Sequence, residues 1–185
     1  PEGRHPGFFD PAVLLLAVRR PDGARDALLV NFGCHPVVLG PSSLAISADY
    51  PGYLKDRLEA DRAAGVAMFA LAGAGNINPR VCIQVGAEHP KAAGEKLAAI
   101  VQQAVGDLVP VEPGTMTVRQ EPWTFKRTRE ALKRRDLPGS RAGETIETEI
   151  QVLRAGDVGF VGLPGELFSE FSRKLREAGP MPATV

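Results

Sequence analysis

Cysteine, histidine, aromatic side chains and net charge are all scarce in this chain, and each shortage closes off a class of protein. The 185 residues hold 2 cysteines, 3 histidines and 6% aromatic residues, and 22 basic side chains balance 22 acidic ones. Cys34 and Cys82 are too few and too far apart for a thiolate metal knuckle or a disulfide framework; a single bridge stays open, so the redox compartment is not fixed. Zero net charge removes long-range attraction to nucleic acid or to an anionic membrane. The basic cluster from Lys126 to Arg135 has little aromatic interleaving and reads as a solvated helix face, so no nucleic-acid partner is expected. The longest apolar runs, such as Val66 to Ala72, fall well short of a membrane span, and no transmembrane segment is expected. No basic start followed by an apolar segment marks a leader, and with the sequence opening on Pro1 the cellular location and oligomeric state are unassigned.

What is present is enough apolar sequence for one sizeable core. Ala12 to Val18 is a continuous apolar run, and Pro21-Asp22-Gly23 supplies turn chemistry before a second run at Ala27 to Phe32, so the pair reads as a hairpin. Pro51 opens a helix with Asp49 placed to cap it. Val66 to Ala72 is a buried strand, followed by the compact loop Gly73 to Arg80. A helix from about Pro90 to Val105 buries Ala93, Leu97, Ile100, Val101 and Val105 at helical spacing. Thr115 to Gln120 and Thr145 to Leu153 alternate and read as half-buried antiparallel strands, whereas the polar stretch Pro122 to Gly143 reads as a helix. Val158 to Leu163 is a last strand, and Glu166 to Ala178 a last helix with Leu167, Phe168, Phe171 and Leu175 on its apolar face. Helices following strands predict a single α/β domain over residues 1–185, a mixed sheet flanked by helices.

Three strand exits carry the polar candidates. Asn31-Phe32-Gly33-Cys34-His35-Pro36 puts an imidazole where an apolar strand ends, and ligands of α/β proteins gather outside the carboxyl ends of strands. His35 is either a metal ligand or a satisfied histidine at a strand end, restricted by Pro36. Asp49 caps its helix or orients a ligand, and Tyr50 either donates to developing oxyanion charge or packs beside the cap. The glycine-rich loop lacks the Lys-Ser or Lys-Thr end of a phosphate loop; its Asn76 and Asn78 supply amide dipoles, and Arg80 recognises an anion or stays solvated. Glu166 sits at a helix start, where an ionised carboxylate suits either capping or metal ligation. Cys34 is read as a small buried apolar residue, His5 as exposed and His89 as a capping-region residue.

Taken in order, Asn31-Phe32-Gly33-Cys34-His35-Pro36, Ile46-Ser47-Ala48-Asp49-Tyr50-Pro51-Gly52, Gly73-Ala74-Gly75-Asn76-Ile77-Asn78-Pro79 and Leu163-Pro164-Gly165-Glu166 resemble the N-terminal catalytic domain of neutral/alkaline ceramidases and related bacterial proteins. The resemblance runs from about Asp10 to Ala178 and implies part of a larger ceramidase-like α/β domain. It implies a zinc-dependent hydrolase of an amide or related bond in a small-molecule or lipid-like substrate. His35 and Glu166 match zinc ligands, Asp49 and Tyr50 would orient the attacked carbonyl or its oxyanion, and Asn78 would line the pocket. Zinc there would polarise the carbonyl and lower the pKa of bound water. Two further ligands of the family, an upstream histidine and a tyrosine beyond the glutamate, have no match in this sequence; Tyr50 precedes Glu166. The family's serine before the loop proline is replaced by Asn78. The competing expectation is a non-catalytic structural or interaction domain that retains the scaffold. Either way, His35, Asp49, the 73–78 loop and Glu166 should converge at one rim of the sheet.

Overall fold

A computed structural model describes residues 7–112, 114–127, 143–179 and 183–185. Its contacts cluster into two compact units, Pro1–Pro110 with Glu166–Ala178, and Val111–Gly165 with Gly179–Val185. The architecture is α/β, with mixed sheets and flanking helices.

In the first unit, β1 (Val13–Arg19) pairs antiparallel with β2 (Arg25–Phe32), and β3 (Val66–Leu71) adds parallel to β2. The hairpin turn forms where its chemistry predicts: Gly23 takes φ 85°, and Asp22 accepts the Ala24 N–H at 2.9 Å. Parallel strands need a crossover, and α1 (Asp49–Ala60) supplies it between β2 and β3. Helix α2 (Glu88–Ala104) follows β3 and runs into a short 3-10 turn, Val105–Asp107. One face of the sheet meets both helices: Leu28, Val30 and Ala67 are buried with Leu54 and Leu58 of α1 and with Leu97, Ala98 and Val101 of α2. Each fully buried leucine or valine there contributes roughly 1.5–3 kcal/mol of transfer free energy. Ile100, expected inside at helical spacing, is exposed; Ala98 holds the interior position instead.

The second unit is a four-stranded sheet in the order β4 (Met116–Lys126), β5 (Thr145–Ala155), β6 (Val158–Gly162), β7 (Ala183–Thr184). β4 and β5 are the two alternating segments, and they pair antiparallel with each other over eleven residues apiece. The helix expected to begin at Pro122 is corrected here: Pro122 to Lys126 continue β4. Pro122 is tolerated because β4 is an edge strand, the position in a sheet to which proline is largely confined. The remainder of that expected helix and most of the basic cluster, from residue 128, lie outside the described residues, as does His5.

The last helix, α3 (Ser169–Ala178), belongs to the first unit and starts three residues later than expected. Glu166 therefore stands in an irregular segment before the helix, not in its first turn. Phe168 and Phe171, expected to pack, are exposed.

Candidate functional site

The exits of β2 and β3 and the approach to α3 are sewn together by backbone hydrogen bonds. Beyond Leu71 the Ala72 N–H donates to the Phe32 carbonyl at 3.2 Å, and the His35 N–H donates to Ile77 at 3.1 Å. On the other side of the same loop, the Gly75 N–H donates to the Leu167 carbonyl at 2.8 Å. Side chains complete the seam. Ser172 Oγ accepts the Gly73 N–H at 2.7 Å, and Asn76 Oδ1 accepts the Ser169 N–H at 2.8 Å while its amide donates to the Phe8 carbonyl at 3.2 Å.

Glycine is required in this seam because the backbones touch. A Cβ on Gly75 would lie 2.3 Å from the Glu166 carbonyl oxygen, and one on Gly73 would lie 2.8 Å from that of Phe168. Real Cβ atoms do not approach a carbonyl so closely, so the loop can lie against the 166–168 segment only without side chains at these positions. At its start, Pro36 is spanned by a tight turn in which Val37 donates to the His35 carbonyl at 2.9 Å.

Asp49 and Tyr50 are both buried and both occupied. Asp49 has φ 52°, a left-handed conformation that aspartate reaches more readily than most residues. Its Oδ2 accepts the Leu39 N–H at 2.8 Å, its Oδ1 accepts the Tyr50 N–H at 2.7 Å, and its own N–H donates to Ser47 Oγ at 2.9 Å. The expected N-cap is therefore replaced by a clamp: Asp49 ties the 37–40 segment to the start of α1. Tyr50 donates its hydroxyl proton to the Cys34 carbonyl at 2.6 Å, and its ring packs edge-on against Phe69 at 5.7 Å between centroids. Burial, with the nearby Cys34 and Asp49, drives the phenol pKa well above its ordinary value. Burial, and then Asp49, pushes the Cys34 thiol up to about 11. Both groups are thus held neutral at physiological pH. Cys34 and Cys82 are both free thiols, so the single bridge left open by the sequence does not form.

All five residues singled out by the motifs lie in the first unit. His35 adjoins Cys34, whose carbonyl takes the Tyr50 hydroxyl, and it bonds through its backbone to Ile77, the neighbour of Asn78. Glu166 meets the loop through its backbone at Gly75. The side chains of Asn78 and Glu166 are exposed, and that of His35 is half-buried. Sequence reasoning named Asn76 for its amide dipole but missed Ser169 and Ser172, its counterparts on α3 that complete the join to the loop.

The expected zinc centre is overturned. Among the described residues, no group of three or more His, Cys, Asp or Glu side chains could hold a metal ion. Catalytic zinc takes three protein ligands and an open position. His35 and Glu166 make two at most, and the Asp49 carboxylate already accepts two backbone N–H groups. The zinc cofactor, the metal-binding description and the zinc-dependent amide hydrolase expected from the motifs are withdrawn with it, since the donor set does not fit the ion.

The arrangement is a partial ceramidase-like α/β scaffold, similar to the fold of the neutral ceramidase catalytic domain. The structure of neutral ceramidase from Pseudomonas aeruginosa matches 96% of this chain with a TM-score of 0.74 at 17% identity, and a ceramidase complexed with C2 matches 96% with 0.72 at 16%. The chain spans 39% and 40% of those two proteins. Likeness at this identity shows the fold and leaves activity to be argued from the site. No protein-family model matches the sequence, and no match was found among curated proteins. No helix among the described residues is long and apolar enough to cross a membrane.

Proposed function

We propose that this chain is a non-catalytic structural or interaction domain that keeps a ceramidase-like scaffold. The observation that carries the reading is the commitment of the motif residues to the fold itself. Asp49 clamps two backbone N–H groups, and Tyr50 satisfies the Cys34 carbonyl. Both are buried with their polar atoms engaged by the fold, and among the described residues no group of three or more His, Cys, Asp or Glu side chains could hold a metal ion. Asn78, where the resemblance leads one to expect serine, supplies an amide with no nucleophilic oxygen. On this reading Asp49 and Tyr50 are positioning residues of the loop cluster, and a small-molecule or lipid-like amide is at most a ligand there, bound without turnover.

The test is hydrolysis of a short-chain ceramide by the native protein, with added zinc and without it. The reading expects no turnover above the buffer rate in either arm. Turnover that is abolished by Asn78→Ala or His35→Ala would overturn it.

A further inference from the structure

α3 belongs to the first unit without entering its core. Within the helix only Ser169 is buried. Phe168 and Phe171 are 49% and 46% exposed, and Leu175 is half-buried. None of the three joins the apolar cluster in which Leu54 and Leu58 of α1 and Leu97 and Val101 of α2 pack on the sheet. The hold on α3 is polar instead. Ser172 Oγ accepts the Gly73 N–H at 2.7 Å, Asn76 Oδ1 accepts the Ser169 N–H at 2.8 Å, and the Leu167 carbonyl just before the helix accepts the Gly75 N–H at 2.8 Å. On the N-terminal segment, the buried Asp10 pairs with Arg176, and the Arg173 guanidinium stands 4.5 Å from the centre of the Phe8 ring.

Each of these tethers exchanges a water partner for a protein one, so it stabilises less than the burial of a core leucine does. The closed arrangement also carries a cost. The Ser169 hydroxyl is buried with no hydrogen-bond partner, and opening would return it to water. The loop under α3 has anchors of its own that the helix does not share: the Ala72 N–H on the Phe32 carbonyl, and the His35 N–H on the Ile77 carbonyl. Loss of α3 therefore leaves the 73–78 loop fastened to the exit of β2.

We propose that Glu166–Ala178 is a latch, which opens as one unit while the sheet, α1 and α2 stay folded, and so bares the Gly73 and Gly75 N–H groups and Asn76 Oδ1 to solvent. Opening is cooperative because the tethers converge on a helix of 10 residues, which is too short to persist in water without them. Elements with few buried apolar contacts supply the low-stability end of a fold, and α3 is such an element beside α1 and α2. The latch controls access to the polar groups of the glycine-rich loop that leads to Asn78. This goes beyond the non-catalytic reading and does not depend on it.

Hydrogen exchange of the full native chain, resolved to single amides by NMR where closing outpaces exchange, reads the opening directly. After correction for intrinsic rates, the Arg173 to Ala178 amides and those of Gly73 and Gly75 should share one opening equilibrium, at least about a hundredfold more open than that of the Leu58 and Val101 amides. Their exchange should also rise less steeply with urea, because releasing a latch exposes less surface than global unfolding. Leu58→Ala separates the two routes: it should speed exchange at Val101 and leave the α3, Gly73 and Gly75 amides unchanged. Ser172→Ala removes one tether and should speed the α3 and Gly75 amides alike, by roughly tenfold. Equal protection of α3 and α2 would overturn the proposal. So would a Gly75 amide that stays protected while α3 exchanges, or Leu58→Ala accelerating every amide equally. Should either variant fail to fold, the urea series on the unsubstituted protein decides. No readout involves metal or hydrolysis, so failure here and failure of the non-catalytic reading are separate events.

Discussion

The Tyr50 hydroxyl donates to the Cys34 carbonyl at 2.6 Å, tying the first residue past the Asp49 clamp to the loop that leaves β2. The bond places a phenol beside the motif histidine, His35, without giving it a free proton for chemistry. Tyr50→Phe keeps the ring contact with Phe69 and removes only the donor, leaving a buried carbonyl unpaired. The expected loss is about 1–3 kcal/mol, read as a lower urea midpoint. A midpoint equal to that of the unsubstituted protein would show that the hydroxyl is not structural.

Asp49 should respond in a graded way. Asp49→Ala removes the acceptors of the Leu39 and Tyr50 N–H groups and leaves a left-handed backbone that alanine tolerates poorly; a loss of about 2–3 kcal/mol is expected. Asp49→Asn retains one carbonyl acceptor and a residue suited to positive φ, so its loss should be smaller. Equal losses for the two would contradict the clamp.

The loop seam makes a glycine prediction with an internal control. Gly75→Ala drives a Cβ into the Glu166 carbonyl, whereas a Cβ on Gly106 meets nothing within 4 Å. Gly75→Ala should therefore destabilise strongly. Gly106→Ala should be neutral or should stabilise by up to about 1 kcal/mol, through a less flexible unfolded chain. Thermal melts of the two variants check the contrast.

Much of this arrangement was legible in the sequence, and the failures have identifiable causes. Continuous apolar runs located β1, β2 and β3 because period and length agree there, and alternation located β5. The sequence pattern ends β4 before Pro122, since proline argues against a strand unless the strand is known to lie at an edge, and edge position is a tertiary fact. Pro164-Gly165 reads as a helix entry at Glu166; in the structure α3 begins at Ser169, whose N–H donates to the Asn76 side chain. The zinc expectation came from the resemblance of short motifs. Four motifs fix the order of loops along a chain, but a metal centre depends on where side-chain donors converge, and here the buried carboxylate was claimed by the backbone.

Thiol chemistry supplies a pH prediction. The Cys34 thiol is raised from 9.0 to about 11 in the folded protein, first by burial and then by Asp49. The unfolded chain therefore releases this proton at lower pH than the folded one. Stability from this group is complete below about pH 9 and falls as pH rises towards 11, in the direction that linkage requires when the unfolded state binds fewer protons. Tyr50, also raised, acts in the same direction above pH 10. Urea midpoints should decline over this range, and Cys34→Ala should flatten the part of the decline below pH 10. A midpoint that rises with pH there would contradict the burial of both groups.

The measurement that bears most directly on the central claim is the zinc content of the native protein, by plasma mass spectrometry after dialysis against trace zinc, beside His35→Ala. The account predicts far less than one zinc per chain in both. One zinc per chain, lost on His35→Ala, would contradict it.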